Sequence, residues 1–185
     1  MTLLATERLW LREFKEQDWE SVHLYACDPD VVRYMPWGPN TEDDTHHFIQ
    51  RAIAYQRERP RRHYELAVVL REEDLLIGGC GIRVSNPDLD EGNMGYCLNK
   101  DFWGRGYATE AARALLRFGF ETLNLHRIHA TCDPENRASA RVLEKIGMNL
   151  EGRLRENLQI RGKWWDSLIY AILDHEWKKL RTTTE

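Results

Sequence analysis

Polar and apolar residues alternate over residues 8–14 (Arg-Leu-Trp-Leu-Arg-Glu-Phe), the period of a half-buried strand. Residues 18–27 read as a helix, and Pro36, Gly38 and Pro39 then break the chain into a loop. Thr41 caps a second helix running to about Arg57, and Asp44, three residues on, forms an acidic counterpart of the capping box. Three strands follow, at 64–71, 75–84 and 93–98. The first carries Leu66, Val68 and Leu70 on one face, the second is rich in glycine, and short polar connections make the three an antiparallel meander. After Leu98 the period lengthens: Ala108, Ala111, Ala112, Leu115, Leu116 and Gly119 share one helical stripe. A strand is predicted at 127–132, and a helix at 136–146 that ends at Gly147. Two strands at 149–159 and 165–173 flank the turn at 161–163, a last helical turn covers 174–180, and 182–185 should fray.

The order β α α β β β α β α β β implies an α/β (α+β) fold. Its sheet is mixed, mostly antiparallel and of about seven strands, with helices on both faces. The strand–helix–strand step across 93–132 should be a right-handed crossover between parallel strands.

With 185 residues, 42% hydrophobic and 30% charged, the chain fits one globular domain over residues 1–181. No run of about 18 apolar residues offers a membrane span, and Glu7 interrupts any signal-peptide core, so a cytoplasmic protein is expected. A net charge of −4 argues against a nucleic-acid partner, and Arg57, Arg59, Arg61 and Arg62 read as a solvated turn. Cys27, Cys80, Cys97 and Cys132 form no C-x-x-C pair, and no histidine stands at finger spacing, so no metal is expected. Cys80, Cys97 and Cys132 lie in apolar runs and read as small buried hydrophobes.

Residues 94–112, Met-Gly-Tyr-Cys-Leu-Asn-Lys-Asp-Phe-Trp-Gly-Arg-Gly-Tyr-Ala-Thr-Glu-Ala-Ala, run from strand through loop to helix. Gly104 and Gly106 permit a tight turn, and successive N–H groups from Gly104 to Thr109 would point outward at the positive end of the helix, a site for a phosphate or pyrophosphate. Arg105 could add a cation; equally, the glycines could be turn residues only. A dinucleotide fingerprint is absent, because Thr109 stands where its third glycine belongs, and no G-x-x-x-x-G-K-[ST] loop occurs.

The run Trp103-Gly104-Arg105-Gly106-Tyr107-Ala108 resembles motif A of the GNAT superfamily of N-acetyltransferases, Q/R-x-x-G-x-G/A, with Trp103 in place of the leading residue. The wider run is similar to the RimJ/RimL-like branch, which acetylates ribosomal-protein N-termini and, in other members, small amines. Three further segments agree: Thr6-Glu-Arg-Leu-Trp-Leu-Arg, the motif B-like 133–148, and 151–156 with 162–166. The resemblance implies a sheet splayed between the fourth and fifth strands of this order, with acetyl-CoA in the gap. Its pyrophosphate would lie on Gly104, Arg105, Gly106, Tyr107, Ala108 and Thr109, and its pantetheine arm along Tyr96, Cys97 and Leu98. Asn136 would face the lower arm while also capping its helix, and Arg141 is either a nucleotide contact or a surface arginine.

The implied reaction is direct attack of an amine on the thioester, aided by proximity. The amine must be neutral. An α-amino group, with a pKa near 8, is about 10% neutral at pH 7, and a lysine far less so. Asn93 occupies the position of the strand-four glutamate, and Leu143 that of the motif B tyrosine; neither can transfer a proton. Ser139 matches the branch's proposed acid. Glu156, two residues before the glutamate position held by Leu158 and so on the same strand face, is the base expected here. The plainer roles are a helix-start hydroxyl for Ser139 and a surface ion pair for Glu156. Tyr34, Met35, Trp37 and Trp165 fall in acceptor-lining segments. Asp43, Asp44, Asp88, Asp90, Glu91 and Glu156 would make either an acidic mouth or solvated loop charges. The acceptor implied is a peptide or ribosomal-protein N-terminus or a small amine. A non-catalytic acetyl-CoA-binding sensor is the alternative, and a homodimer is expected from an exposed sheet edge.

Overall fold

The computed structural model describes the backbone of residues 2–184 and the side chains of 3–181. Its elements are β1 (Thr2–Ala5), β2 (Leu9–Glu13), α1 (Trp19–Ala26), α2 (Glu42–Tyr55), β3 (His63–Leu70), β4 (Leu75–Asn86) and β5 (Glu91–Leu98). Then come α3 (Tyr107–Glu121), β6 (Arg127–Cys132), α4 (Arg137–Lys145), β7 (Asn149–Ile160), β8 (Lys163–Leu173) and α5 (Asp174–Thr184). Among the described residues they build one eight-stranded sheet in the order β1-β2-β3-β4-β5-β6-β8-β7. The strand count exceeds the expected seven because β1, four residues long and paired only with β2, is too short to show a period. The closing helix α5 is longer than one turn and reaches into the tail expected to fray, whose final residue, Glu185, lies outside the described residues.

Strand alternation divides the core in two. On β3, Leu66, Val68 and Leu70 join the face covered by α3 and α4, with Leu115, Leu116 and Leu143. Ala67 and Val69 join the opposite face, with Val22, Tyr25, Ile49 and Ala52 of α1 and α2. Gly119 lets α3 sit low on the sheet: a Cβ there would stand 2.5 Å from Ile128 Cδ1 and 2.8 Å from Ile82 Cδ1.

The β5–β6 contact is parallel, as the crossover requires, but it is short. Only Glu91, Gly92 and Asn93 pair with Arg127, Ile128 and His129. Beyond Asn93, β5 pairs on one side only, with β4, while β6 continues against β8 through Cys132. The sheet therefore opens at Met94–Leu98. The charged cluster Glu91, Arg127 and Glu151, with ion pairs of 3.1 and 2.7 Å, marks the point where the strands part.

Candidate active site

The loop after β5 enters α3 through two left-handed glycines, Gly104 at φ +75° and Gly106 at φ +83°. A Cβ at Gly104 would touch nothing within 4 Å, so the turn demands glycine for its backbone and not for crowding. The first helical hydrogen bond runs from the Glu110 N–H to the Gly106 carbonyl, 3.0 Å. The N–H groups of Tyr107, Ala108 and Thr109 therefore have no intrahelical partner, and they sit at the positive end of α3. The Arg105 side chain lies over the Phe102 ring, 5.6 Å away.

The opening segment holds this turn in place. Glu110, in the first turn of α3, accepts bonds from Thr6 Oγ1 (2.6 Å), Arg8 N–H (2.9 Å) and Arg8 Nε (2.7 Å). Burial disfavours its charge, yet these donors outweigh burial and keep its pKa below the usual carboxylate range. Arg8 also donates to the Arg105 carbonyl (3.1 Å) and covers the Tyr107 ring at 4.5 Å. The sequence carried these residues only as a family-like signature; their clamp on the phosphate turn spans about a hundred positions and leaves no local pattern. Trp103, which departs from motif A, donates its indole N–H to the Leu98 carbonyl at 2.8 Å and ties the loop to β5. Of the strand segment Tyr96, Cys97 and Leu98, that carbonyl is therefore already occupied.

Across the opening, Asn136 caps α4 by accepting the Ser139 N–H at 3.0 Å, the helix-start role foreseen for it. Ser139 Oγ lies 3.0 Å from Tyr96 Oη, and the Ser139 carbonyl accepts from the same hydroxyl at 3.2 Å. A Tyr–Ser hydroxyl pair thus spans β5 and α4. Burial pushes the Tyr96 phenol well up, although the Ser139 bond opposes it, so it remains protonated at neutral pH. The Tyr96 hydroxyl was not foreseen as a functional group, since only its backbone was considered. Leu143 is buried in the core and offers no proton.

Among the described residues the Glu156 side chain makes no hydrogen bond to this pair. Register along β7 shifts between Leu154, opposite Ser167, and Leu158, opposite Trp165. Arg155, Glu156 and Asn157 thus bulge against Asp166 alone, with Glu156 at φ +50°. The alternation argument that put Glu156 on the Leu158 face fails at that bulge. Asp166 braces the bulge by accepting the Glu156 N–H (2.8 Å) and Arg153 Nε (2.6 Å), bonds that lower its pKa. The Glu156 carboxylate is exposed and makes no ion pair among the described residues, so the surface-pair reading is not realised either.

A cleft of about 840 Å³ lies on the α1/α2 face of the sheet and reaches β5. Met35 and Trp37 line it; Tyr34, beneath Arg33 at 5.2 Å, and Trp165 on β8 do not. Arg161, at the tip of the β7–β8 hairpin, donates to the Trp37 carbonyl (3.3 Å) and to that of Gly38, so the hairpin tip arches over to the cleft loop. No acidic mouth forms. Of the six acids considered, only Asp44 lines the cleft, and it is committed to the Thr41 cap at 2.9 and 2.7 Å. Glu91 is spent on Arg127, and Asp88 and Asp90 stand on the β4–β5 connection. The acid inside the cleft is instead Glu65 of β3. Cys97 and Cys132 are thiols with pKa values raised to about 12 and about 11 by burial, which is the inert behaviour expected of them.

The sheet thus opens beside a glycine-built helix start, and a separate cleft reaches β5 from the other face. Residues 8–149 match the Acetyltransferase (GNAT) domain, and the chain belongs to that family. It is 40% identical over 174 residues to the uncharacterised N-acetyltransferase YnaD of Bacillus subtilis, covering 94% of this chain and 98% of that protein. It is 25% identical over 181 residues to the ribosomal protein uS5-alanine N-acetyltransferase of Escherichia coli, covering 94% and 92%. The crystal structure of a GNAT-family acetyltransferase from Bacillus anthracis superposes with a TM-score of 0.83 at 38% identity, covering 95% of this chain and 99% of that one. The chain is an N-acetyltransferase, and the non-catalytic sensor reading gains no support.

Proposed function

We propose that this enzyme moves the acetyl group of acetyl-CoA to a primary amine, with a peptide N-terminal α-amine as the preferred acceptor. The observation that carries the reading is the conjunction of free amides at 107–109 with a β5 edge that has lost its β6 partner two residues away from Tyr96. The diphosphate would take the amides of Gly104–Thr109, and the pantetheine arm would pair with the free edge of Tyr96 and Cys97. The amine attacks the thioester carbonyl, and the Tyr96–Ser139 hydroxyl pair returns a proton to the departing sulfur. The α-amine acceptor is supported by the uS5-alanine relative and by the low pKa of α-amines, which eases deprotonation.

The chain would act as one domain over 1–181 in the cytoplasm, in keeping with its four free cysteines, and as a homodimer through the exposed β7 edge. Calorimetric titration with CoA, followed by thiol release from acetyl-CoA with an alanine-first peptide and with spermidine, tests the reading. Absence of CoA binding refutes it; turnover of spermidine alone refutes the α-amine preference. Light scattering tests the dimer.

A further inference from the structure

Resting on the acetyl transfer just proposed, we infer that Glu65 receives the acceptor's ammonium group over a glycine floor and accepts its proton. Glu65 lies on the α1/α2 face of β3, two positions before Ala67 of the same face. Its Oε2 stands 2.7 Å from where a Cβ on Gly81 would be, so the carboxylate leans across β4. Gly81 pairs with Gly95 of β5, and a Cβ on Gly95 would meet no atom within 4 Å. Gly79, next along the same face of β4, is covered instead: a Cβ there would stand 3.3 Å from the Phe14 ring and 3.3 Å from the Tyr25 hydroxyl, which close that end of the floor. The row Glu65, Gly81, Gly95 therefore runs as uncovered backbone from a carboxylate to the strand where the sheet opens. Strands lie about 4.8 Å apart, so a carboxylate above β4 is one water, or none, from an amine above β5.

Glu65 is also uncommitted. Among the described residues it makes no hydrogen bond or ion pair, unlike Glu13, Glu58, Glu91 and Glu110, each of which is paired. Glu65 lines the cleft, so an ammonium group entering from solvent can reach it. The helices above it present Tyr25, Asp44, His47 and Arg51; the strands beside it present His63, Cys80, Arg83 and Cys97. Burial in this setting raises the Glu65 pKa, while Arg51 and His63 pull it down. A carboxyl poised above its ordinary range holds a proton better than a surface glutamate does, which suits a base working near neutral pH.

The ammonium gives one proton to the Glu65 carboxylate, and the freed lone pair forms the C–N bond. The C–S bond breaks with its electron pair on sulfur, and the second nitrogen proton passes, through solvent and the Tyr96–Ser139 pair, to that thiolate. Glu65 then releases its proton to water.

The test compares wild type, Glu65→Gln and Glu65→Asp, with the alanine-first peptide and spermidine as probes, alongside CoA calorimetry. The expected result for Glu65→Gln is a fall in kcat of about 100-fold, the usual scale for a lost general base, with CoA affinity within twofold. The acid limb of its pH–rate profile should vanish, and Glu65→Asp should recover part of the rate and the limb. Gly81→Ala, which retains the carboxylate but displaces it, should also lower kcat. Should Glu65→Gln keep its kcat and acid limb while Glu156→Gln loses them, the assignment is overturned with the acetyltransferase reading intact. A wild type that fails to bind CoA removes that reading itself, a separate result.

Discussion

Replacing Gly106 by valine places a β-branched side chain at φ +83°, in a region such residues avoid. Holding a non-glycine residue there costs about 1–3 kcal/mol. The space itself is tolerable, because a Cβ would meet only Arg8 Nη2 at 3.4 Å. The free protein can therefore relax the turn, whereas the CoA-bound protein cannot, since the left-handed turn aims the amides of 107–109 at the diphosphate. Binding must restore that conformation, and 1–3 kcal/mol corresponds to a loss of about 5- to 150-fold in affinity. Asparagine tolerates the left-handed region, so Gly106→Asn should retain most of the affinity that Gly106→Val loses. Calorimetry with CoA measures both variants, and a melting curve checks the fold. At about 2–4 °C per kcal/mol for a chain of this size, the valine variant should melt no more than some ten degrees lower. If Gly106→Val binds CoA within twofold of wild type, the amide cradle is refuted. If Asn and Val lose affinity equally, side-chain obstruction and not backbone conformation sets the loss.

Glu110→Gln should weaken the fold by about 1.5–3 kcal/mol, on the scale of hydrogen bonds to a charged group, measured as a lower urea midpoint. Because the folded pKa of Glu110 lies below its unfolded value, its contribution is full above the unfolded value, about 4.3, and disappears as pH falls through the folded one. Wild type and Glu110→Gln should therefore differ at pH 6 and converge toward pH 3; a constant difference would contradict the linkage. Gly119→Val should cost about 2–3 kcal/mol by overpacking Ile82 and Ile128, and an unchanged urea midpoint would show that α3 does not pack as closely as described. Arg161→Ala frees the hairpin tip from Trp37 and Gly38, and should raise the acceptor KM several-fold with CoA affinity unchanged; equal effects on both ligands would detach the tip from the acceptor side.

The elements legible in the sequence are those whose faces are buried on one side. The stripe Ala111, Ala112, Leu115, Leu116 is fully covered by the sheet, and its 3.6 period identified α3. β1 was missed because it is an edge strand of four residues. The phosphate turn was legible because left-handed backbone leaves a visible trace, namely glycine, at 104 and 106. Glu65 left no such trace. Within the run Tyr64-Glu-Leu-Ala-Val it reads as the polar phase of an alternating strand, and only the cross-strand register, which brings Gly81 and Gly95 beside it, turns that phase into a cleft floor. The face of Glu156 was illegible for the converse reason: strand periodicity does not carry across the bulge that Asp166 stabilises from the neighbouring strand.

The sheet opening and the empty floor have a common origin in the pairing of β5. A parallel pair shares one crossover and one register, so after Asn93 the divergence of β6 toward β8 leaves β5 with a single neighbour, β4. A strand held from one side needs close pairing on that side, and the glycines of β4 permit it: a Cβ on Gly78 would lie 2.3 Å from the Cys97 carbonyl. The same glycine run makes room on the α1/α2 face: at Gly79 for Phe14 and Tyr25, and at Gly81 for the Glu65 carboxylate, 2.7 Å from where a Cβ would stand. The donor edge and the acceptor floor are thus two faces of one constraint. A side chain added at Gly79 or Gly81 to narrow the floor would be felt on the acceptor side, and one at Gly78 would shift the edge that holds the donor.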